Sequence, residues 1–246
     1  MIRKENNPTI ILVPGHWLGA WAWDKVVEHL RQTGCTTVAM TLPGLDPQDP
    51  ERSTRTLDEQ AAAIEEALRQ VSGPPPILVA HSGANAPVSM VLDRYPELVG
   101  HIVWVDTGPF PSGSAFAPDT SAELVELPLP DFKTLAQQGS LDGLDSEDLI
   151  RFRNLAVPEP GPILRQAVYL TNAQRLAVPT TLVCCSIPST QIMEFALAGH
   201  PMFAEAAKLE NLKMVDLPTG HWPMWSRPEE LARIISTLLS CRLNLL

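Results

Sequence analysis

Along the first hundred residues, short apolar runs alternate with stretches in which apolar positions recur every three or four residues. Residues 9–13 are apolar, largely β-branched and closed by Pro14-Gly15, which predicts a buried strand ending in a tight turn. Between Trp21 and Gln32 the residues Trp23, Val26, Val27 and Leu30 recur at helical spacing, and Gly34 supplies the stop. The alternation continues with a strand at 36–42, a helix at 56–71, a strand at 77–80, a helix at 84–95 and a strand at 102–105. Strands that run the same way need a crossover between them, so this pattern predicts a parallel sheet with helices on both faces.

After Asp106 the rhythm breaks. Residues 109–178 carry many prolines, several glycines and acidic stretches, with helical segments such as 145–155 and 163–172. The alternation then resumes with a strand at 180–185, a helix at 191–209, a strand at 212–217 and a helix at 229–239. The expected architecture is an α/β core made of residues 1–108 and 179–246, holding about six mostly parallel strands flanked by helices. A helical cap, or lid, is inserted at 109–178. In open sheets of this kind ligands bind beyond the carboxyl ends of the strands, which is where the chemistry is expected.

Composition narrows the partners. At 246 residues and 45% hydrophobic, the chain holds enough for one large core but not comfortably for two. A net charge of −10 without any Lys/Arg run argues against a nucleic-acid partner, which needs clustered positive charge. No apolar stretch reaches the roughly 18 residues of a membrane span, and Met1 to Pro8 contains no apolar leader; the sequence reads as cytoplasmic, without a membrane partner. Cys35, Cys184, Cys185 and Cys241 lack metal-ligand spacing and read as buried thiols, the adjacent pair facing opposite ways if it lies in a strand. No His, Asp or Glu cluster suggests a metal, no cofactor is expected, and nothing in the sequence speaks to oligomeric state.

Three segments carry candidate chemistry. Ile77-Leu78-Val79-Ala80-His81-Ser82-Gly83-Ala84 is a buried strand running into a serine with small residues two before and two after it, then into a helix. A serine on such a turn is exposed at the sheet edge, and the Gly83 N–H beside it can hold a negative oxygen. A plain helix cap would explain Ser82 alone. The second segment, Val13-Pro14-Gly15-His16-Trp17-Leu18-Gly19, is a glycine-containing loop after the first strand that can supply a second amide, assigned to His16, with Trp17 as a pocket wall. It lacks the Lys-Ser/Thr ending of a phosphate loop and does not match a dinucleotide fingerprint. In the third, Val215-Asp216-Leu217-Pro218-Thr219-Gly220-His221-Trp222, a strand ends shortly before His221, placed to take the proton of Ser82. His81 and Trp222 are further candidates for the pocket lining.

These segments, in this order, resemble the α/β-hydrolase superfamily, in particular its small serine esterase and lactonase-like members with a helical cap. The resemblance covers nearly the whole chain and implies a serine, acid and histidine triad. Pro14 stands where many members carry histidine, which leaves the backbone N–H groups untouched. The acid departs further: the strand at 180–185 ends Ser186-Ile187-Pro188-Ser189-Thr190 without a carboxylate, and the nearest, Glu194, falls within a predicted helix. Some members take the acid from the preceding strand, and Asp106 stands there. The acid is therefore assigned to Asp106, with Glu194 as the alternative. The resemblance implies hydrolysis of an ester or lactone of a small, fairly apolar substrate. Hydroxynitrile lyase, C–C hydrolase and a non-catalytic ligand receptor on the same scaffold are the alternatives.

Overall fold

The computed structural model describes residues 7–241. Two expectations fall outside the described residues: the absence of a leader, where it rests on residues 1–6, and the thiol of Cys241. β1 (Ile10–Val13) leads through a 3-10 turn into α1 (Asp24–Gln32), followed by β2 (Thr37–Ala39), α2 (Leu57–Gln70), β3 (Ile77–His81), α3 (Asn85–Arg94) and β4 (His101–Val105). The next segment carries β5 (Glu126–Leu127), α4 (Phe132–Leu135), α5 (Ser146–Leu155), β6 (Glu159–Pro160) and α6 (Gly161–Arg165). The chain then returns through β7 (Thr180–Cys184), α7 (Ser189–Leu197), β8 (Leu212–Asp216), α8 (Pro223–Ser226) and α9 (Pro228–Cys241).

The six long strands form one parallel sheet in the order β2-β1-β3-β4-β7-β8. β1, β3 and β7 are buried along their whole length, and all of their residues but His81, Thr180 and Thr181 are apolar. Successive residues serve opposite faces. Ile11, Val13, Leu78, Ala80, Ile102 and Trp104 join one apolar cluster, while Ile10, Leu12, Ile77, Val79, Val103 and Val105 join the other. Cys184 and Cys185 divide between the two clusters in the same way. Burial pushes the Cys184 thiol up to about 12 and raises that of Cys185 as well, so neither is a ready nucleophile. Cys35 is also buried.

The helices follow local signals. α2 begins at a capping box, the Thr56 hydroxyl accepting from the Glu59 amide while the Glu59 carboxylate accepts from the Thr56 amide. α1 buries Val26, Val27 and Leu30, and Gly34 behind it adopts φ +82°. Two predicted helices are corrected. The one expected at 163–172 is only α6, because Val168 leaves the helix to pair with Ser114 across a β-bridge. The one expected at 191–209 breaks after Leu197, where Gly199 turns at φ +75° ahead of Pro201. β2 is also shorter than 36–42.

The segment between β4 and β7 adds no strand to the large sheet; β5 and β6 form a separate antiparallel ribbon. Its Leu129, Leu135 and Phe152 pack into one core cluster and Phe110, Ile163 and Val168 into the other. Among the described residues, no helix is long and apolar enough to cross a membrane.

Candidate active site

Strand register decides what meets at the carboxyl edge of the sheet. Val13 is level with Ala80, His81 with Val105, and Val105 with Val183, so the residues just past β1, β3, β4 and β7 emerge side by side. The chain passes outward from β1 to β2 and then jumps inward to β3, which makes the gap between β1 and β3 a switch point where connections diverge and leave a crevice.

Three non-glycine residues adopt a left-handed backbone among the described residues: Trp17 (φ 64°), Ser82 (φ 50°) and Asp106 (φ 46°). Each lies immediately beyond a central strand or one turn further, and each reverses the chain where a side chain or amide has to face the crevice. For Ser82 the cause is the strand-to-helix elbow between β3 and α3. Gly15 must approach that elbow without a side chain, since a Cβ there would come within 2.7 Å of Ser82 Cβ and 2.9 Å of the His81 carbonyl oxygen.

His221 Nε2 lies 2.8 Å from Ser82 Oγ, and His221 Nδ1 lies 2.6 Å from Asp106 Oδ2. Asp106 is further held by amide donors, Cys185 at 3.0 Å and Ser186 at 2.8 Å to Oδ1, and by the Ser186 hydroxyl at 2.7 Å to Oδ2. Burial acts to raise its carboxyl, but hydrogen bonds from His221 and Ser186 and the attraction of the imidazole outweigh that and hold it below the ordinary aspartate value. With Asp106 accepting at Nδ1, the imidazole presents Nε2 as the acceptor for the serine proton. Glu194 is exposed on α7, and the Nδ1 of His221 is occupied by Asp106. Asp216 is spent elsewhere, accepting from the amide and hydroxyl of Ser189.

The loop carrying His221 rests on the segment after β4. The His221 amide donates to the Ser140 carbonyl at 2.7 Å and the Gly220 amide to the Asp142 carbonyl at 3.0 Å. A Cβ on Gly220 would stand 2.5 Å from the Asp142 oxygen, so only glycine fits there.

Ser82, Gly83, His16, Asp106 and His221 all face a cavity of about 520 Å³. Phe110, Phe116, Ile187, Ile192, Met202 and Phe203 supply much of its apolar wall, and among the described residues no lysine or arginine lines it. The three pocket residues expected from the sequence do not line it. Trp17 turns away, its indole N–H donating to the Leu127 carbonyl at 3.1 Å. His81 is buried beneath the elbow, where desolvation first and the neighbouring His221 second lower its pKa to about 3. It is therefore neutral, and its Nε2–H donates to the His221 carbonyl at 2.7 Å. Trp222 is buried against Phe152 and Trp225 with its edge toward the His221 ring. His81 and Trp222 are buried behind the site, and Trp17 is half-buried against the apolar cluster that holds Trp222.

Two contributors have no mark in the local sequence. Ser186 was visible only as part of a strand end lacking an acid, yet it donates twice to Asp106. Glu159 is 1% exposed and stands beside the His16 loop from a position 142 residues away from Trp17. Its one outward sign is a carboxylate set between Pro158 and Pro160. Among the described residues no group of three or more His, Cys, Asp or Glu is placed to hold a metal ion.

Residues 10–234 match the model of a family described as the alpha/beta hydrolase family. Methylesterase 4 of Arabidopsis thaliana is 29% identical over 145 residues, 57% of this chain and 52% of that protein. An alpha-hydroxynitrile lyase of Arabidopsis thaliana is 28% identical over 120 residues, 48% of this chain and 43% of that protein. The chain thus spans about half the length of these curated relatives, and 28% of two putative chloroplastic methylesterases from the same plant. The solved structure of an extracellular alpha/beta-hydrolase from a Paenibacillus species superposes with a TM-score of 0.73 at 19% identity, covering 94% of this chain and 98% of that one. That likeness is one of fold.

Proposed function

Since the chain belongs to the alpha/beta hydrolase family, we propose that it hydrolyses a carboxylic ester of a small, neutral and fairly apolar acid through an acyl-enzyme. The observation that carries this reading is the unbroken run of hydrogen bonds from Asp106 through His221 to Ser82 at the wall of an apolar cavity. Ser82 Oγ gives its proton to His221 Nε2 as it bonds to the substrate carbonyl carbon. The oxygen that becomes negative is held by the amides of His16 and Gly83, fixed dipoles that need no rearrangement at the moment of reaction. Collapse of the tetrahedral intermediate expels the alcohol, which takes the proton from His221. Water then attacks the acyl-enzyme by the same route, giving its proton to His221, and Ser82 regains that proton as the acid leaves. Asp106 stabilises the imidazolium formed at each stage.

The lining narrows the substrate. Without lysine or arginine in the wall, a free carboxylate or phosphate on the substrate would lose its water for no partner. Lactones of the same polarity fit the same chemistry. The name of the Arabidopsis thaliana methylesterase makes methyl esters the first alcohol portion to test. Residues 109–178 contribute Phe110, Phe116 and Gln138 to the wall, which supports treating the segment as a cap that sets the acyl groups admitted. Cyanohydrin cleavage is disfavoured because cyanide departs as an anion and no lysine or arginine among the described residues lines the cavity to receive it.

The test is a panel of p-nitrophenyl and methyl esters against a cyanohydrin and a β-diketone. Ester turnover with a burst of nitrophenol is expected, falling at least about 10⁴-fold in Ser82→Ala. Cleavage of the cyanohydrin or diketone in place of the ester would make the protein a lyase or C–C hydrolase, and ligand binding without turnover would make it a receptor.

A further inference from the structure

The backbone at Trp17 is the least expected feature of the site. A tryptophan at φ 64° pays for its Cβ against the backbone unless other contacts fix it there. At Ser82 the elbow does so. At Trp17 the local element is a single turn, closed by the Leu18 amide on the Gly15 carbonyl at 3.3 Å, between the end of β1 at Val13 and the helical turn that begins at Ala20.

That turn is braced from afar by the ribbon of β5 and β6 and by Val157 just ahead of β6. The Trp17 amide donates to Glu159 Oε2 at 3.2 Å, the Trp17 carbonyl accepts from the Val157 amide at 3.0 Å, and the indole N–H donates to the Leu127 carbonyl at 3.1 Å. All three hydrogen-bonding groups of the residue are therefore engaged by Val157 and the ribbon, in which Leu127 is level with Glu159. The ribbon is itself tied to the core by Arg52, which forms an ion pair with Glu126 at 2.6 Å.

Glu159 reaches the next residue too. The same Oε2 lies 3.1 Å from His16 Nδ1. The His16 ring then leans on Gly83 so closely that a Cβ on Gly83 would stand 2.4 Å from His16 Cδ2, while Phe116 meets it edge-on with ring centroids 4.4 Å apart. One buried carboxylate oxygen thus contacts both the amide that follows the His16 N–H and the imidazole that packs against Gly83.

We propose that Glu159 is a positioning residue for the oxyanion hole: by accepting from the Trp17 amide and orienting the His16 ring, it holds the His16 and Gly83 amides aimed at one point. This rests on the reading of the protein as an ester hydrolase. Ground-state binding is set by the apolar wall, which Glu159 does not line. Its removal therefore falls on the step in which negative charge develops on the carbonyl oxygen.

The experiment compares Glu159→Ala and Glu159→Gln with the unaltered protein, because glutamine keeps an acceptor oxygen for the Trp17 amide. Steady-state kinetics on a p-nitrophenyl ester are read beside the inhibition constant of a trifluoromethyl ketone, which forms an oxyanion on Ser82, and beside hydrogen exchange at the Trp17 amide. In Glu159→Ala we expect kcat to fall about 30- to 100-fold, as for a displacement of about 1 Å. KM should change less than threefold, the ketone should weaken in step with kcat, and Trp17 should exchange faster. Glu159→Gln should recover most of kcat and protect the amide. Equal losses in kcat and ketone binding in both variants, or unchanged kcat in Glu159→Ala, would overturn the proposal. Should the unaltered protein turn over no ester, the hydrolase reading fails, and the exchange data alone decide whether Glu159 holds the loop: equal protection in all three proteins would sink that idea as well.

Discussion

The two sides of the cleft around Ser82 are built in different ways. The elbow lies between the central strands β1 and β4, continuous with a fully buried β3 and running straight into α3, so its geometry follows from a dozen consecutive residues and the sheet that clasps them. The opposite side is held from afar. The Trp17 backbone is braced by residues 157 and 159 and its indole by residue 127, and the His221 loop rests on the carbonyls of Ser140 and Asp142. A site built this way separates its tasks: the nucleophile is fixed by the core, while the proposed oxyanion donor and base loop are tuned by the segment after β4.

The comparison can be broken most severely on the core side. Asp106→Asn leaves amide donors and sheet intact but places an amide where the imidazolium needs a carboxylate. We expect kcat to drop about 10³- to 10⁴-fold with unchanged circular dichroism, and near-normal turnover would remove Asp106 from the triad.

A smaller effect is expected where the two sides touch. In Gly83→Ala the new Cβ meets the His16 ring at 2.4 Å, so either the elbow or the ring must shift. We expect a loss of roughly 10- to 100-fold in kcat, partly restored when His16→Ala is added. Additive losses in the double-mutant cycle would mean that the two sides are not in energetic contact.

The buried His81 gives a stability test independent of activity. Unfolded, it takes up a proton below the ordinary histidine value of 6.5, whereas in the fold it stays neutral until about pH 3. Between those limits the unfolded chain binds one more proton. Its contribution is thus complete above pH 6.5 and is lost as pH falls toward 3, at about 1.4 kcal/mol per pH unit. Urea unfolding of His81→Leu at several pH values should show an acid limb shallower by about that slope. The smallest effect belongs to Glu194→Gln on the exposed face of α7, for which ester turnover within twofold of the unaltered protein is expected.

Much of this was legible because local rules and global fold agree. Strands buried on both faces are largely apolar, so β1, and β3 up to His81, stand out as runs. Small residues around Ser82 and the glycine at position 15 announce a close approach, and the close contact is there. The helix expected at 191–209 was misread because composition favours helix up to Gly199-His200-Pro201, where φ +75° at the glycine ends it. Trp17 and Trp222 were placed in the pocket wall by sequence proximity alone. Proximity along the chain does not say which way a side chain turns, and both turn to the apolar cluster behind the site.

By itself, then, the sequence determined the alternation of elements, the parallel sheet and the turns that carry His16, Ser82, Gly83 and His221, because each follows from periodicity or from a turn confined to neighbouring residues, whereas Asp106 was assigned only through the family resemblance. Tertiary structure alone decided that Asp106 and not Glu194 or Asp216 meets His221, that Ser186 supports it, and that Glu159 stands behind the oxyanion loop. Those are contacts across 80 to 142 positions of the chain. They are set by strand register and by where a ribbon lands, and neither is written in the residues that make the contact.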